Sequence, residues 1–295
     1  MNKNTKLVKP IFIIGLHRTG STFLKNILNV SPSVAMATDE MHISSPWRKT
    51  VEDDIRRFGD LQEDVNLDAF MDYLYSGKPY GDFWLDYPGL GIPETTVTQR
   101  VKESDRSLKD IISIMLDEYR LKEGKARVGV KYPVHFSRIK MLHNWFPDSK
   151  IVFLTRDARA ICASKLGDEA TKRRKSQGLI ICFLVHYATL LFFVIEYIWS
   201  SRMYRKWREE LRMHLVRYED LAIDPRAVIS DLCTFCNIQQ SEEMLSVTGK
   251  VSSFNKKEHK GAHKDSLNKW KTQLCSFDKW LITVLAKRSM RRFGY

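Results

Sequence analysis

An α/β domain of three layers, with a central, mainly parallel sheet flanked by helices, is the fold class that the sequence predicts, on three observations. Four apolar runs have strand length and polar or turn boundaries: Ile11 to Ile14, Arg127 to Val130, Ile151 to Leu154 and Met213 to Val216. Helical periodicity follows the first three of them. Phe23, Leu24, Ile27 and Leu28 share a face before Pro32, Ile139, Leu142 and Trp145 do so before Pro147, and Ala158 to Ser164 continues from the third run. The first strand also runs into a glycine-bounded loop that opens a helix, Gly15-x4-Gly20-Ser21-Thr22. Strands that alternate with helices imply crossover connections, and hence a parallel sheet covered on both faces.

With 295 residues, 43% of them hydrophobic, the chain can bury a large core, and no linker-like stretch or internal repeat divides it. One domain over residues 1–295 is therefore expected, with 41–126 and 172–212 as insertions between sheet elements. The first insertion carries the aromatic, turn-rich segment Lys78 to Pro93, suited either to a lid or to a small satellite core.

Lysine and arginine total 48 against 35 aspartate and glutamate, a formal charge of +13, so the protein's field attracts anions. Basic residues are spread along the chain, and no RNP sequence or Cys/His finger accompanies them, so no nucleic-acid partner is expected. The five cysteines form an odd set behind a polar N-terminus that reads as neither signal peptide nor anchor, which points to reduced thiols and a cytoplasmic location. Cys233 and Cys236 are spaced to share one apolar helix face, so packing is expected of them, not redox or metal chemistry. Gly178 to Trp199 is almost continuously apolar but carries His186 and Glu196; a buried core helix is the expectation, and an in-plane helix against an apolar acceptor or a membrane surface is the alternative.

Two motifs carry chemistry. In the loop after the first strand, glycines let backbone N–H groups close on phosphate oxygens and the helix N-terminus favours negative charge. The position that holds lysine in a nucleoside-triphosphate loop is Ser21, and the cation stands instead at Arg18. No aspartate for magnesium is evident after another apolar strand, so a donor with fewer phosphates and no obligatory metal fits better. In the second motif, Ile151 to Ser164, a strand delivers Arg156 at its end, and Ser164 follows two helical turns on, nearly on the same face. Together they are suited to hold one phosphate, while an ion pair of Arg156 or Arg159 with Asp157 is the purely structural alternative.

These motifs resemble those of the sulfotransferases that use 3′-phosphoadenosine 5′-phosphosulfate, a P-loop-like family. Arg18-Thr19-Gly20-Ser21-Thr22 matches its 5′-phosphosulfate loop, and Arg156 with Ser164 matches its 3′-phosphate pair. Lys131-Tyr-Pro, Tyr218-Glu-Asp-Leu and the late basic stretch His263 to Trp270 follow in the family's order, so the resemblance runs from about residue 10 to about 272. It implies that Arg18 and the backbone of Thr19 to Thr22 hold the 5′-phosphosulfate, that Arg156 and Ser164 hold the 3′-phosphate, that Lys131 balances charge on the bridging oxygen, and that Lys264 closes over the donor. The two insertions would then lie on the acceptor side.

For the general base, Glu40 lies at the spacing after the first helix that some members use, with Asp39, His42 and His135 as rivals; Pro133 stands where cytosolic members carry a histidine. The expected activity is in-line transfer of a sulfuryl group, without a metal, to a hydroxyl or amine of a glycan, lipid or small molecule. Tyr218 to Leu221 is expected to pin the core. The competing readings are a magnesium-dependent kinase-like phosphotransferase and a non-catalytic polyanion-binding protein. The acceptor is open, because the apolar segments favour an amphipathic molecule and the charge an acidic glycan.

Overall fold

The computed structural model describes residues 8–37, 51–76, 91–168, 171–172, 178–252, 255–260 and 264–295. Five parallel strands form its sheet in the order β2-β3-β1-β4-β5. They are β1 (Ile11–Gly15), β2 (Val34–Ala37), β3 (Arg127–Lys131), β4 (Lys150–Thr155) and β5 (His214–Arg217). β1 is central, pairing Ile11 with Gly129 of β3 on one side and with Lys150 of β4 on the other. Its side chains alternate between two cores: Phe12 and Ile14 enter one, Ile11 and Ile13 the other, all fully buried. That period of two under continuous apolarity is what a doubly covered strand requires. Burying each such side chain contributes roughly 1.5–3 kcal/mol.

One face is covered by α1 (Ser21–Asn29), through Leu24, Ile27 and Leu28, and by a later helix, Pro225–Cys236, through Ile229 and Leu232. The other is covered by helices Leu108–Lys122, Ala158–Leu166, Leu179–Trp207 and Ser276–Arg292. The chain leaves β1 for β2 and β3 on one side, then crosses to β4 and β5 on the other. The C-terminal end of β1 is thus a topological switch point, where open parallel sheets bind ligands.

The structure corrects some expected boundaries and adds a strand. The fourth predicted run, Met213 to Val216, becomes His214–Arg217, because registry with Val152 to Thr155 of β4 fixes its ends. Val34–Ala37 was not foreseen; it is short, and its residues are mostly small, so it forms only by pairing with Arg127 to Val130. Cys233 and Cys236 are buried and free, packed as their spacing predicted.

The expectation of a buried core helix over 178–199 fails for its first half. No residue from Leu179 to Thr189 is buried, whereas Leu190, Val194 and Tyr197 are almost fully enclosed. The second half packs on Ala158–Leu166, on Ser276–Arg292 and on the 3-10 turn Pro133–Arg138. The first half meets the start of Ser276–Arg292 through a hydrogen bond and a ring contact, His186 Nε2 lying 3.0 Å from Asp278 Oδ2 and Tyr187 stacking edge-on to Phe277.

Candidate active site

The loop after β1 is shaped by backbone constraints that its sequence meets. Gly20 has φ 94°, and a Cβ there would lie 2.4 Å from the ring of Tyr218, so only glycine fits. Arg18 adopts φ 71°, a left-handed conformation costly for a residue of its size. Thr19, almost fully buried, donates its hydroxyl to the Leu16 carbonyl at 2.7 Å and closes the turn. Gly20 then caps α1 with no side-chain hydrogen bond, and no acidic residue lies in the first turn. The positive end of α1 therefore has no built-in anion, an arrangement that receives phosphate or sulfate.

The two sequence motifs, distant in the chain, meet at this end. Arg18 Nε donates to Ser164 Oγ at 3.0 Å. Arg156 donates from Nη1 to the Arg18 carbonyl at 3.3 Å and from Nη2 to the Ser266 carbonyl at 3.0 Å. Its guanidinium lies 4.3 Å from the Tyr218 ring centroid, and the Tyr218 and Ser266 hydroxyls are 3.0 Å apart. Ser164 thus turns toward Arg18, not Arg156, and ties both motifs into one cluster. Burial holds the Arg18 guanidinium below its ordinary pKa, with Asp168 opposing the shift and Arg156 adding to it. Arg156 Nε is buried with no hydrogen-bond partner among the described residues. Two close guanidiniums and an orphaned donor beside an uncapped helix fit a phosphate-bearing donor.

A supporting layer lies behind these groups. Asp157 pairs with Arg159, Nη2 to Oδ2 2.6 Å, so the ion pair expected as the structural alternative belongs to Arg159 and leaves Arg156 to the cluster. Asp157 N donates to Glu219 at 3.0 Å, and the Tyr295 hydroxyl donates to the other Glu219 oxygen. Arg159 also lies 4.1 Å over Trp270. The sequence suggested that Tyr218 to Leu221 pins the core; Leu221 is buried there, while Tyr218 and Glu219 brace the site and Tyr218 forms one wall of it.

The remaining predicted residues distribute unevenly. Ser21 and Thr22 open α1, as expected of the loop. Lys131, 5% exposed, ends β3, with Ile13 of β1 as its register partner. His135 is fully buried in the turn that follows and packs on Tyr132 at 4.7 Å, which places it in the core. Glu40, Asp39 and His42 lie outside the described residues, as does most of the aromatic segment from Lys78. Lys264 begins the helix Lys264–Gln273, whose third residue is Ser266, so that helix reaches the cluster.

Sequence reading missed Ser266, because a contact through a main-chain carbonyl leaves no mark on residue type; its place two residues after Lys264 was the available signal. It also passed over Glu196 as a mere interruption. Glu196 is buried, with its pKa pushed by desolvation up to about 7, on the half of the long helix that packs against the turn after Lys131.

Comparison with known proteins agrees with this geometry. The sulfotransferase domain of the curacin biosynthetic pathway superposes with a TM-score of 0.60 at 17% identity, covering 98% of each chain. The sulfotransferase domain of the Synechococcus PCC 7002 olefin synthase gives 0.59 at 19% identity, over all of this chain and 98% of that one. A Mycobacterium avium sulfotransferase gives 0.52 at 12% identity, over 98% of this chain and 77% of its own. At such identities these likenesses speak to the fold. No curated protein matches the sequence. The profile described as "Sulfotransferase family" matches residues 10–242, a stretch that includes the loop, Lys131, Arg156 and Ser164 but stops before Lys264. Since that match spans most of the sequence and takes in both halves of the arginine cluster, the chain belongs to the sulfotransferase family.

Proposed function

We propose that the chain transfers a sulfuryl group from 3′-phosphoadenosine 5′-phosphosulfate to a hydroxyl or amine. The observation that carries the reading is the joining of Arg18, Ser164 and Arg156 at the uncapped end of α1, which gives one donor two anion-binding points. The amides of Thr19 to Thr22 and Arg18 hold the 5′-phosphosulfate. Arg156 holds the 3′-phosphate with Ser164, whose hydroxyl must swing from Arg18 as the donor enters. Lys264 closes over it. Lys131 donates toward the bridging oxygen as charge develops there.

The step balances without a redox partner. The acceptor oxygen or nitrogen bonds to sulfur, the bond from sulfur to the bridging oxygen breaks, and adenosine 3′,5′-bisphosphate leaves. The acceptor proton passes to a base, for which Glu40 is proposed ahead of Asp39 and His42; the burial of His135 disfavours it. Catalysis is then chiefly positional and electrostatic.

The test is transfer of labelled sulfate to a panel of alcohol, sterol, glycolipid and glycan acceptors. Lys131→Ala is expected to lower kcat by about 100-fold or more with little change in donor affinity, since its charge acts in the transition state. Equal loss in kcat and in donor binding would assign Lys131 to the donor cradle instead.

A further inference from the structure

The first turns of the long helix form, with the start of the C-terminal helix, an apolar ridge that nothing in the donor site uses. The two helices run side by side in the same direction, tied by His186 to Asp278 near one end and by Arg292 to Ser201 near the other. At the first end Leu179, Ile180, Phe183 and Leu184 stand exposed, from 59% to 91%, beside Phe277 and Trp280. Phe183, Tyr187, Phe277 and Trp280 form a chain of ring contacts 4.8 to 6.1 Å apart, which makes the ridge continuous across both helices. Isolated exposed apolar residues are ordinary, but a contiguous two-helix ridge marks a contact surface.

Charge decides what covers it. Beyond Trp280 and Val284 the same exposed stripe of the C-terminal helix continues as Arg288 and Arg291, at spacings of three and four. The long helix likewise continues into exposed Arg202 and Arg205. There Arg205, Arg202 and Arg208 add to burial in holding the pKa of Arg292 down, the mark of gathered positive charge. In the sequence, Lys172-Arg-Arg-Lys175 precedes the helix as well. A second copy of the chain, carrying the same net charge of +13, supplies no anion for these cations, whereas an anionic lipid surface complements them. By length and composition alone the helix could cross a bilayer. Its wholly unburied part, Leu179 to Thr189, however, extends about 16 Å at 1.5 Å per residue, roughly half of a ~30 Å hydrocarbon core, and from Leu190 onward one face, with Phe193, Val194 and Tyr197, is packed in the protein.

We propose that this ridge seats the protein in the plane of an anionic membrane, apolar side chains in the headgroup boundary and arginines on the lipid phosphates. The inference stands on the surface alone. Joined to the proposed activity, it favours acceptors carried in that membrane, since the same helix packs on Ala158–Leu166 and on the turn after Lys131.

The test is sedimentation of the full chain with phosphatidylcholine vesicles, with and without phosphatidylserine, for the parent, Phe183→Asp/Leu184→Asp and Arg288→Glu/Arg291→Glu. Both sites are exposed, and unchanged circular dichroism and thermal unfolding of each variant verify the fold; binding of adenosine 3′,5′-bisphosphate is measured alongside. The expected result is pelleting only with phosphatidylserine, weakened about tenfold or more by either double variant and by salt. Failure to pellet at low ionic strength would overturn the proposal, as would pelleting that the aspartates leave unchanged. Light scattering that shows a dimer abolished by the aspartates without vesicles would assign the ridge to a second copy and overturn it too. Vesicle binding without nucleotide binding would keep the docking surface and remove the donor reading.

Discussion

The C-terminal end of the sheet and the leading half of the long helix share one frame but treat water and charge in opposite ways. At the sheet end, arginines are drawn inward, and each is held by named partners: Arg18 by Ser164, Arg156 by two carbonyls and a ring, Arg159 by Asp157. At the helix, apolar groups face outward, and arginines lie on the surface near the far end. The first arrangement suits a small anion met through fixed geometry, at the cost of a buried donor unsatisfied among the described residues and a strained loop. The second needs no fixed geometry, because a lipid surface has none. Substitutions at the sheet end should therefore alter stability and donor binding together, whereas those on the exposed half-helix should leave both unchanged.

The sharpest break is Gly20→Ala. The added methyl must displace the Tyr218 ring and adopt a positive φ, so urea unfolding should show a loss of about 3 kcal/mol, with donor binding lost as well. A loss below about 0.5 kcal/mol would mean that the loop is not pinned by Tyr218.

Glu196→Gln comes next and has the opposite sign. The folded carboxyl titrates near 7, above an unfolded value near 4.3, so the folded state holds its proton more tightly. Stability then falls as pH rises from about 4.3 to about 7, and the full penalty is present above 7. Glutamine should stabilise the protein by about 3–4 kcal/mol at pH 8 and by almost nothing near pH 4. A pH-independent effect would contradict the buried, ionising carboxylate.

Ser164→Ala removes one hydroxyl from Arg18 and should cost about 1 kcal/mol in stability, while weakening adenosine 3′,5′-bisphosphate roughly tenfold. Smallest of all, Phe183→Asp on the exposed half-helix should shift unfolding by less than about 0.5 kcal/mol. A larger loss would show that the ridge is part of the fold.

What could be read from the sequence follows the same division. β1, its loop and α1 were legible because local pattern and local geometry coincide there: a buried strand, a glycine that must take a positive φ, and an apolar helix face. Arg156 and Ser164 were legible as a spacing on a strand and its helix. Their partners were not, since Ser266 acts on Arg156 through its backbone, and the contact of Gly20 with Tyr218 joins residues far apart in the chain. The β-hairpin of Thr248–Ser252 and Asn255–Lys260 gave no strand signal, being polar and without alternation. The exposure of Leu179 to Thr189 was unreadable for another reason: composition says that a helix is apolar, but only its neighbours decide whether it is covered.

Holding of a 3′-phosphorylated adenine nucleotide by the arginine cluster is checked by calorimetric titration of adenosine 3′,5′-bisphosphate into the parent and Arg156→Ala, with magnesium–ATP as the comparison ligand. Binding is expected without magnesium, weakened roughly a hundredfold by the substitution, with little affinity for ATP. Absence of binding, equal affinity in both proteins, or preference for magnesium–ATP would contradict it.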